Sequence, residues 1–223
     1  IAECFDLNSA IIKRRQFLYS NCHVAKSLNT IYFEYNKRVK WGAYDSKFIT
    51  DPINGSWQIL DIAKTHLNEH TAWSKDFSPD KPGSLLQRIQ VQNEEGKWVW
   101  SGNESSIVAN SYAKDPAAGV GGPTAILWHE EGGIAPNANI TLQYLEPAIK
   151  SGGKRTGTFI IGGSVGDLSQ CKPLKNFILN PSRYDFLAVP TKFYDESGIT
   201  KQCGLFIPAQ YGMPEATDEH GNS

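Results

Sequence analysis

A short apolar run that ends at two carboxylates constrains the fold of this chain more than any other feature. The run Ala125–Trp128 lies in the stretch TAILWHEEGG and is closely followed by Glu130 and Glu131. A short apolar run without alternation is typical of a strand buried on both faces of a parallel sheet. Such a strand needs helices packed on both faces, so the run indicates an α/β architecture.

Strand and helix patterns alternate along most of the sequence. Strands are predicted at Arg38–Asp45, in SSIVANSYA, at Thr158–Ile161 and in two short apolar runs near the C-terminus. Helical spacing predicts a helix over residues 1–20, another in GSWQILDIAKTHLNEHTAW with Ser56 as its cap, and a third in NANITLQYLEPAIKSGG. LLQRIQVQNEEGKWVWSG predicts a β-hairpin. Together these patterns predict a mostly parallel central sheet flanked by helices, with a β-hairpin insertion.

Composition excludes several broad classes of protein. The chain has 223 residues, 40% of them hydrophobic, and a net charge of -1, which suits one large globular domain without an overall preference for nucleic acid. No run of about 18 apolar residues predicts a membrane span. The four cysteines show no C-x-x-C spacing, so they indicate reduced thiols in a cytosolic protein rather than a disulfide framework or a zinc site.

The two glutamates suggest a site at one edge of the sheet. Ligands of open α/β sheets bind beyond the carboxyl ends of the strands, where Glu130 and Glu131 fall. Two adjacent carboxylates repel each other, and magnesium bound to phosphate would relieve that repulsion. One carboxylate can then hold the metal while the other orients or deprotonates a water. The alternative is an exposed acidic turn. His129 points to the opposite face, so we expect it to be packed or hydrogen-bonded rather than a metal ligand.

A second strand end carries small residues that suit the same interpretation. FIIGGS ends at Gly162, Gly163 and Ser164. Small residues there let the backbone approach a phosphate, and Ser164 offers a hydroxyl donor. The alternative is an ordinary turn between strand and loop, which glycine also favours.

The order of these segments resembles the ATPase domain of the large terminase subunit of tailed bacteriophages. The resemblance rests on GAYDSKF, SGNESSIVANSYAKDP, GVGGPTAILWHEEGG, LEPAIKSGGKRTGTFIIGGSVGD and ATDEHGNS, in that order. It implies a P-loop NTPase-like fold of the ASCE type. It also implies ATP and Mg²⁺ as cofactors, and a motor that moves double-stranded DNA into the procapsid. The partners implied are DNA, the portal protein, the small terminase subunit and further copies in a ring, in the bacterial host cytoplasm.

The resemblance also assigns roles to individual residues. It implies that AILWHEE is the Walker B motif, with Glu130 at the magnesium-holding position and Glu131 as the catalytic carboxylate. Relatives more often have Asp at the position of Glu130. It implies that Gly162, Gly163 and Ser164 form the coupling motif that links hydrolysis to movement. GVGGP stands where many relatives carry Arg-Gly, so no arginine is assigned there.

One motif of the family is missing from the sequence. No G-x-x-x-x-G-K-[ST] occurs, and SGGKRT follows a predicted helix whereas a P-loop must follow a strand. Because the family's P-loop precedes a helix like the one predicted over residues 1–20, we expect the P-loop upstream of Ile1 and a nuclease domain downstream of Ser223. Residues 1–223 are then part of an ATPase domain, and we expect this part alone to be inactive.

Two other functions remain open at this point. A phage structural or interaction module with a degenerate nucleotide site is favoured by the absent P-loop. A two-carboxylate glycosidase using Glu130 with Glu131 or Glu146 is disfavoured, because neighbouring strand residues diverge whereas glycosidase carboxylates flank a sugar.

Overall fold

A seven-stranded sheet forms the centre of the protein, in a computed structural model that describes residues 7–14, 18–71, 83–194 and 196–207. The strands are β1 Ser9–Ile12, β2 Arg38–Ala43, β3 Ser84–Leu86, β4 Ile89–Gln92, β5 Trp98–Ser101, β6 Ser106–Ser111, β7 Ile126–Glu130, β8 Lys150–Ser151, β9 Lys154–Arg155, β10 Thr158–Gly163, β11 Val189–Tyr194, β12 Thr200–Cys203 and β13 Leu205–Phe206. The helices are α1 Tyr19–Phe33, α2 Lys47–Thr50, α3 Ser56–His70, α4 Ala138–Leu145 and α5 Leu168–Leu179. Short 3₁₀ turns lie at Gly132–Ile134, Glu146–Ile149 and Pro181–Tyr184.

The strand order places four of the sequence-predicted strands, β10, β7, β2 and β6, next to one another in the sheet. The order is β13-β1-β10-β7-β2-β6-β3, and the pairings are parallel except that of β3 with β6. Because the strands are parallel, their carboxyl ends meet at one edge. Ile12 pairs with Gly163, and Ala43 pairs with Glu130, so the ends of four strands lie side by side.

Helices cover both faces of this sheet. Alternate residues of β7 divide between two cores, so Trp128 packs with α1 and α3 while Leu127 packs with α4 and α5. The prediction of a mostly parallel α/β sheet with helices on both faces is therefore confirmed. The hairpin predicted in LLQRIQVQNEEGKWVWSG is also confirmed, as β4 paired with β5 outside the main sheet.

The start of the chain differs from the prediction of a helix over residues 1–20. Ser9–Ile12 is a strand, and helix α1 begins only at Tyr19. Residues 1–6 and 15–17 lie outside the described residues. The strand is short and buried on both faces, so its apolar residues fit helical spacing equally well. Its pairing with β10 and β13, more than a hundred residues away, decides the conformation.

Candidate functional site

Three chain segments meet at the carboxyl edge of the sheet around Glu130 and Glu131. Strand β7 ends at Glu130, its neighbour β10 ends at Gly163, and β1 on the far side of β10 leads through Lys13 towards α1. Helix α3 contributes its first residue, Ser56, which touches Glu130. The site therefore joins a strand–loop–helix unit to the predicted glutamates.

Glu130 is buried, with 2% of its surface exposed. Its Oε1 accepts a hydrogen bond of 2.9 Å from the Ser56 hydroxyl and lies 3.2 Å from His23 Nδ1. Because an ionised carboxylate only accepts, the Nδ1–H of His23 is the donor in that contact. A hydrogen bond with the Ser20 side chain completes the set. Each of these donors comes from the first two turns of α1 or from the start of α3.

The hydrogen bonds keep Glu130 ionised although it is buried. Burial by itself would raise its pKa, but the contacts with His23, Ser20 and Ser56 hold the pKa of Glu130 below its usual value. Burial lowers the pKa of His23, and this outweighs the opposing effect of Glu130. The pair is therefore a carboxylate and a neutral imidazole. The His23 ring also stacks on Trp128, at 4.1 Å between ring centroids, which fixes its orientation.

Glu131 occupies a different environment from its neighbour. Its backbone is left-handed, with φ 46° and ψ 48°, an uncommon conformation for a residue with a side chain. Its side chain is about a quarter exposed (24%), and Oε1 accepts a contact of 3.3 Å from Lys13 Nζ. Oε2 accepts a hydrogen bond of 3.3 Å from the hydroxyl of Ser164. Glu131 is thus the open carboxylate, and it bridges the end of β1 to the end of β10.

Glycines allow the turn after Glu131 to touch the end of β10 directly. A Cβ on Gly133 would lie 1.7 Å from the carbonyl oxygen of Ser164, and a Cβ on Gly163 would lie 2.7 Å from the nitrogen of Gly133. A Cβ on Gly162 would collide with the ring of Tyr19. The three residues predicted as a coupling motif are therefore in contact with the glutamate turn and with α1. Whether they transmit movement stays a prediction.

The connection from β1 to α1 shows two unusual residues. Leu18, just before α1, is 68% exposed and left-handed, with φ 55°. Tyr19 follows it and is buried, and its hydroxyl has no hydrogen-bond partner within the described part of the chain. Burial, with Glu130 and Glu131 nearby, raises the pKa of Tyr19. The hydroxyl is thus a donor that the protein itself leaves unused.

The donor set at this edge fits magnesium and phosphate. Mg²⁺ prefers oxygen ligands and is usually held by one or two carboxylates together with phosphate oxygens. Glu130, Glu131, Ser20 and Ser164 supply such oxygens, and Lys13 and the unused Tyr19 hydroxyl suit a phosphate. No cluster of three or more His, Cys, Asp or Glu residues suited to a metal occurs within the described ranges. A metal here therefore needs ligands besides the protein, as phosphate would provide.

Sequence analysis identified the acidic residues of this site but not the residues that contact them. His129 is buried, donates from Nδ1 to the Glu130 carbonyl at 2.9 Å and lies against the Tyr112 ring, as expected for a packed histidine. The predicted helix-capping role of Ser56 is wrong, because its hydroxyl binds Glu130 and the cap position is Gly55. Sequence analysis did not identify Lys13 and His23 as residues of this site. The signal that could have identified them is a strand followed by a helix, and this segment was instead predicted to be one helix over residues 1–20.

Comparisons with solved structures identify the fold. The chain is similar to the large terminase ATPase domain of Thermus phage P74-26, with a TM-score of 0.59, 12% identity, and coverage of 93% of this chain and 78% of that one. A mutant of that domain gives a TM-score of 0.57 with the same identity and coverage. The HK97 bacteriophage large terminase gives 0.50, at 12% identity, over 84% of this chain and 37% of that one.

These similarities show the fold of this chain and no more at such low identity. No family model matches the sequence, and no curated protein matches it either. The chain has the mostly parallel α/β fold of phage large terminase ATPase domains, and the resemblance seen in the sequence is confirmed at that level. Within the described residues, no helix has the length and apolar character needed to cross a membrane.

Proposed function

We propose that this chain is the ATPase motor domain of a phage large terminase and that it couples ATP hydrolysis to movement of double-stranded DNA into a procapsid. The observation that carries the proposal is the meeting of Glu131 with Lys13 and Ser164 at the carboxyl edge of the sheet. This contact brings a strand–loop–helix unit, an open carboxylate and a second strand end into one site. The terminase ATPase fold supports the choice of reaction.

The two glutamates differ in burial, and this supports different roles for them. In the proposal, Glu130 is the anionic anchor for magnesium, held ionised by its hydrogen bonds. Glu131 is the open carboxylate that orients or deprotonates the attacking water. Magnesium, when bound, would neutralise the phosphate charge that develops during transfer. Ser164 holds Glu131 in place and senses its position from the end of β10.

We infer that the phosphate-binding segment is the connection from β1 to α1. A P-loop follows a strand and opens a helix, and the connection from β1 to α1 has that position between parallel strands. In the proposal, Lys13 supplies the amine that faces phosphate, and Ser20 supplies the hydroxyl next to the metal. This replaces the expectation of a P-loop upstream of Ile1, which stays untested. A portal, a small terminase subunit, further copies of the chain and a downstream nuclease domain belong to the same proposal.

One observation favours a second candidate, a structural module with a degenerate nucleotide site. The segment that opens α1 reads Leu18-Tyr19-Ser20, where a P-loop would read Gly-Lys-Ser or Gly-Lys-Thr. The lysine at the helix start, which normally contacts the terminal phosphates, is a tyrosine. If Lys13 does not compensate, the site binds nucleotide weakly and does not turn it over.

Nucleotide binding and hydrolysis by the purified chain distinguish the two candidates. We would measure the affinity for a fluorescent ATP analogue with and without Mg²⁺, and phosphate release from ATP. The variants are Lys13→Met, which removes the amine, and Glu131→Gln, which keeps the shape of the side chain. Lys175→Met in α5 is the matched lysine control, since Lys175 is exposed.

The ATPase proposal predicts magnesium-dependent binding that Lys13→Met weakens and hydrolysis that Glu131→Gln abolishes while binding persists. Loss of one catalytic group of this kind typically costs about 10²-fold or more in rate. Saturable binding without turnover in any variant, in the presence of DNA, would support the degenerate module instead. If the chain did not bind nucleotide at all, both the ATPase proposal and the degenerate nucleotide-binding module would be contradicted.

A further inference from the structure

The last turn of α3 carries two exposed histidines that the proposed nucleotide site does not use. They occur in the stretch HLNEH as His66 and His70, four residues apart. Their ring centroids lie 4.4 Å apart, and the ring planes are inclined by 54°. Both side chains are exposed, and no hydrogen bond or ion pair holds either ring within the part of the chain that the structure describes.

The helix determines this geometry. Residues four apart on a helix lie on the same face, about 5–6 Å apart at Cβ. Two imidazoles at that spacing can turn one nitrogen each onto a shared ion, at about 2.0–2.1 Å for zinc. Histidines four apart on one helix, with a glutamate between them, are the ligand pair of several zinc enzymes. Since His66 and His70 already touch, only a small rotation of each ring is needed.

We propose that His66 and His70 form a binding site for a divalent transition-metal ion of the class that prefers imidazole, such as Zn²⁺, Ni²⁺ or Cu²⁺. The pair has two protein ligands, because no group of three suitable side chains occurs in the described ranges. Water fills the remaining positions, so the metal exchanges readily. The site clamps the C-terminal turn of α3, where the helix ends at His70.

This site is separate from the carboxylate site in both place and chemistry. Ser56, which touches Glu130, is the first residue of α3, and His70 is the last. Fourteen residues at 1.5 Å each separate the two ends by about 21 Å. The nucleotide edge offers oxygen ligands that suit magnesium, whereas His66 and His70 offer nitrogen ligands that suit transition metals. The proposal does not depend on ATP hydrolysis.

The test is isothermal titration of the untagged 223-residue chain with ZnCl₂ and with NiCl₂, after EDTA has been removed by dialysis. The proposal predicts one saturable site per chain, which disappears in His66→Gln and in His70→Gln. Binding must weaken at acid pH, because imidazole binds metal only when neutral. Bound metal must also raise the thermal unfolding midpoint of the parent, since it stabilises the folded helix, and not that of either variant.

Three control variants separate this site from other ligands. The double variant Thr65→His, His66→Ala keeps two histidines on α3 but places them five residues apart, where they do not share a face, so it must lose binding. Cys22→Ser and His220→Gln remove other metal-binding side chains and must leave binding unchanged. Absence of saturable binding, binding that survives both single histidine substitutions, or binding lost in Cys22→Ser would overturn the proposal.

Discussion

At the level of single residues, the two adjacent glutamates differ in their burial and in the partners that they contact. Glu130 is buried and satisfied by the protein, whereas Glu131 is partly exposed and bonded across two strand ends. A charged side chain that is buried depends on its partners, because an unpaired buried charge is costly. A charged side chain that reaches solvent is hydrated, so the loss of its protein partners costs less stability.

We therefore expect Glu130→Ala to destabilise the fold more than Glu131→Ala. Truncation of Glu130 leaves the donors of His23 and Ser56 buried without an acceptor, which costs about 3–5 kcal/mol. Truncation of Glu131 removes its contacts with Lys13 and Ser164 and leaves the buried Lys13 amine without that partner, which costs about 1–3 kcal/mol. Urea unfolding of both variants measures the difference. Equal losses of stability would contradict the burial argument.

Acid should destabilise the protein over a pH range that is set by the pKa values of its buried histidines. Burial lowers the pKa of His129 to about 4, and it also lowers that of His23. Between the unfolded value of about 6.5 and the folded value, the unfolded chain binds protons that the folded chain does not. Stability is therefore full above about pH 6.5 and falls as pH drops towards 4. The contribution of His129 is on the order of 3 kcal/mol.

Urea midpoints at several pH values between 7.5 and 4.5, with EDTA present, test this expectation. His129→Gln keeps a donor for the Glu130 carbonyl but does not titrate, so it should flatten the pH dependence whatever its absolute stability. His66→Gln is the control substitution, because His66 is an exposed histidine outside this buried site. A parent protein that is equally stable at pH 7.5 and 5 would refute the argument.

At the level of elements, the turn after β7 and the end of β10 are packed backbone against backbone. The contact needs glycine on both sides, since Gly133 faces the carbonyl of Ser164 and Gly163 faces Gly133. Contacts of this kind transmit a displacement of one element to the other, because backbone atoms cannot rotate away as side chains can. The coupling role of Gly162, Gly163 and Ser164 stays a prediction, and this backbone contact is the feature of the structure that supports it.

A methyl group placed in this contact should separate the two elements. We expect Gly133→Ala to cost about 1–3 kcal/mol or more, because a new Cβ would lie 1.7 Å from a carbonyl oxygen and the backbone must move. Gly166→Ala is the matched control, since the nearest atom to its Cβ is a side-chain methyl of Ile134 at 3.1 Å. Thermal unfolding of the two variants compares them. A Gly133→Ala variant as stable as Gly166→Ala would show that the turn is loosely packed.

For the whole molecule, the position of β1 inside the sheet, second from one edge, has the largest consequence. The strand pairs with β10 on one side and β13 on the other, and Ala10 and Ile11 belong to the cores on opposite faces. The sheet thus includes a strand in a segment that the sequence analysis predicted to be helical.

We expect the 223-residue chain to unfold in one cooperative thermal transition, followed by circular dichroism and by tryptophan fluorescence. Deletion of residues 1–13 removes β1 and should abolish that transition. Replacement of residues 89–101, also thirteen residues, by a short glycine linker should preserve it, because β4 and β5 pair with each other outside the seven-stranded sheet and their tryptophans are exposed. Equal effects of the two deletions would contradict the central role of β1.

The sequence by itself determined the class of the fold and the location of the acidic residues. Periodicity and short apolar runs are local properties of a sequence. The burial of a strand such as Ile126–Glu130 can therefore be predicted from the residues of that strand. The same reasoning placed Gly162, Gly163 and Ser164 at a neighbouring strand end, and the packed position of His129 followed from strand alternation.

Only the tertiary structure decided which residues surround the glutamates and how the chain begins. His23 and Ser56 lie 107 and 74 residues from Glu130 in sequence, and Lys13 lies 118 residues from Glu131. No local pattern encodes such contacts, because they exist only once parallel strands align their carboxyl ends. Strand β1 is ambiguous for the same reason: four residues, three of them buried, fit a helix or a strand until pairing with distant strands selects one.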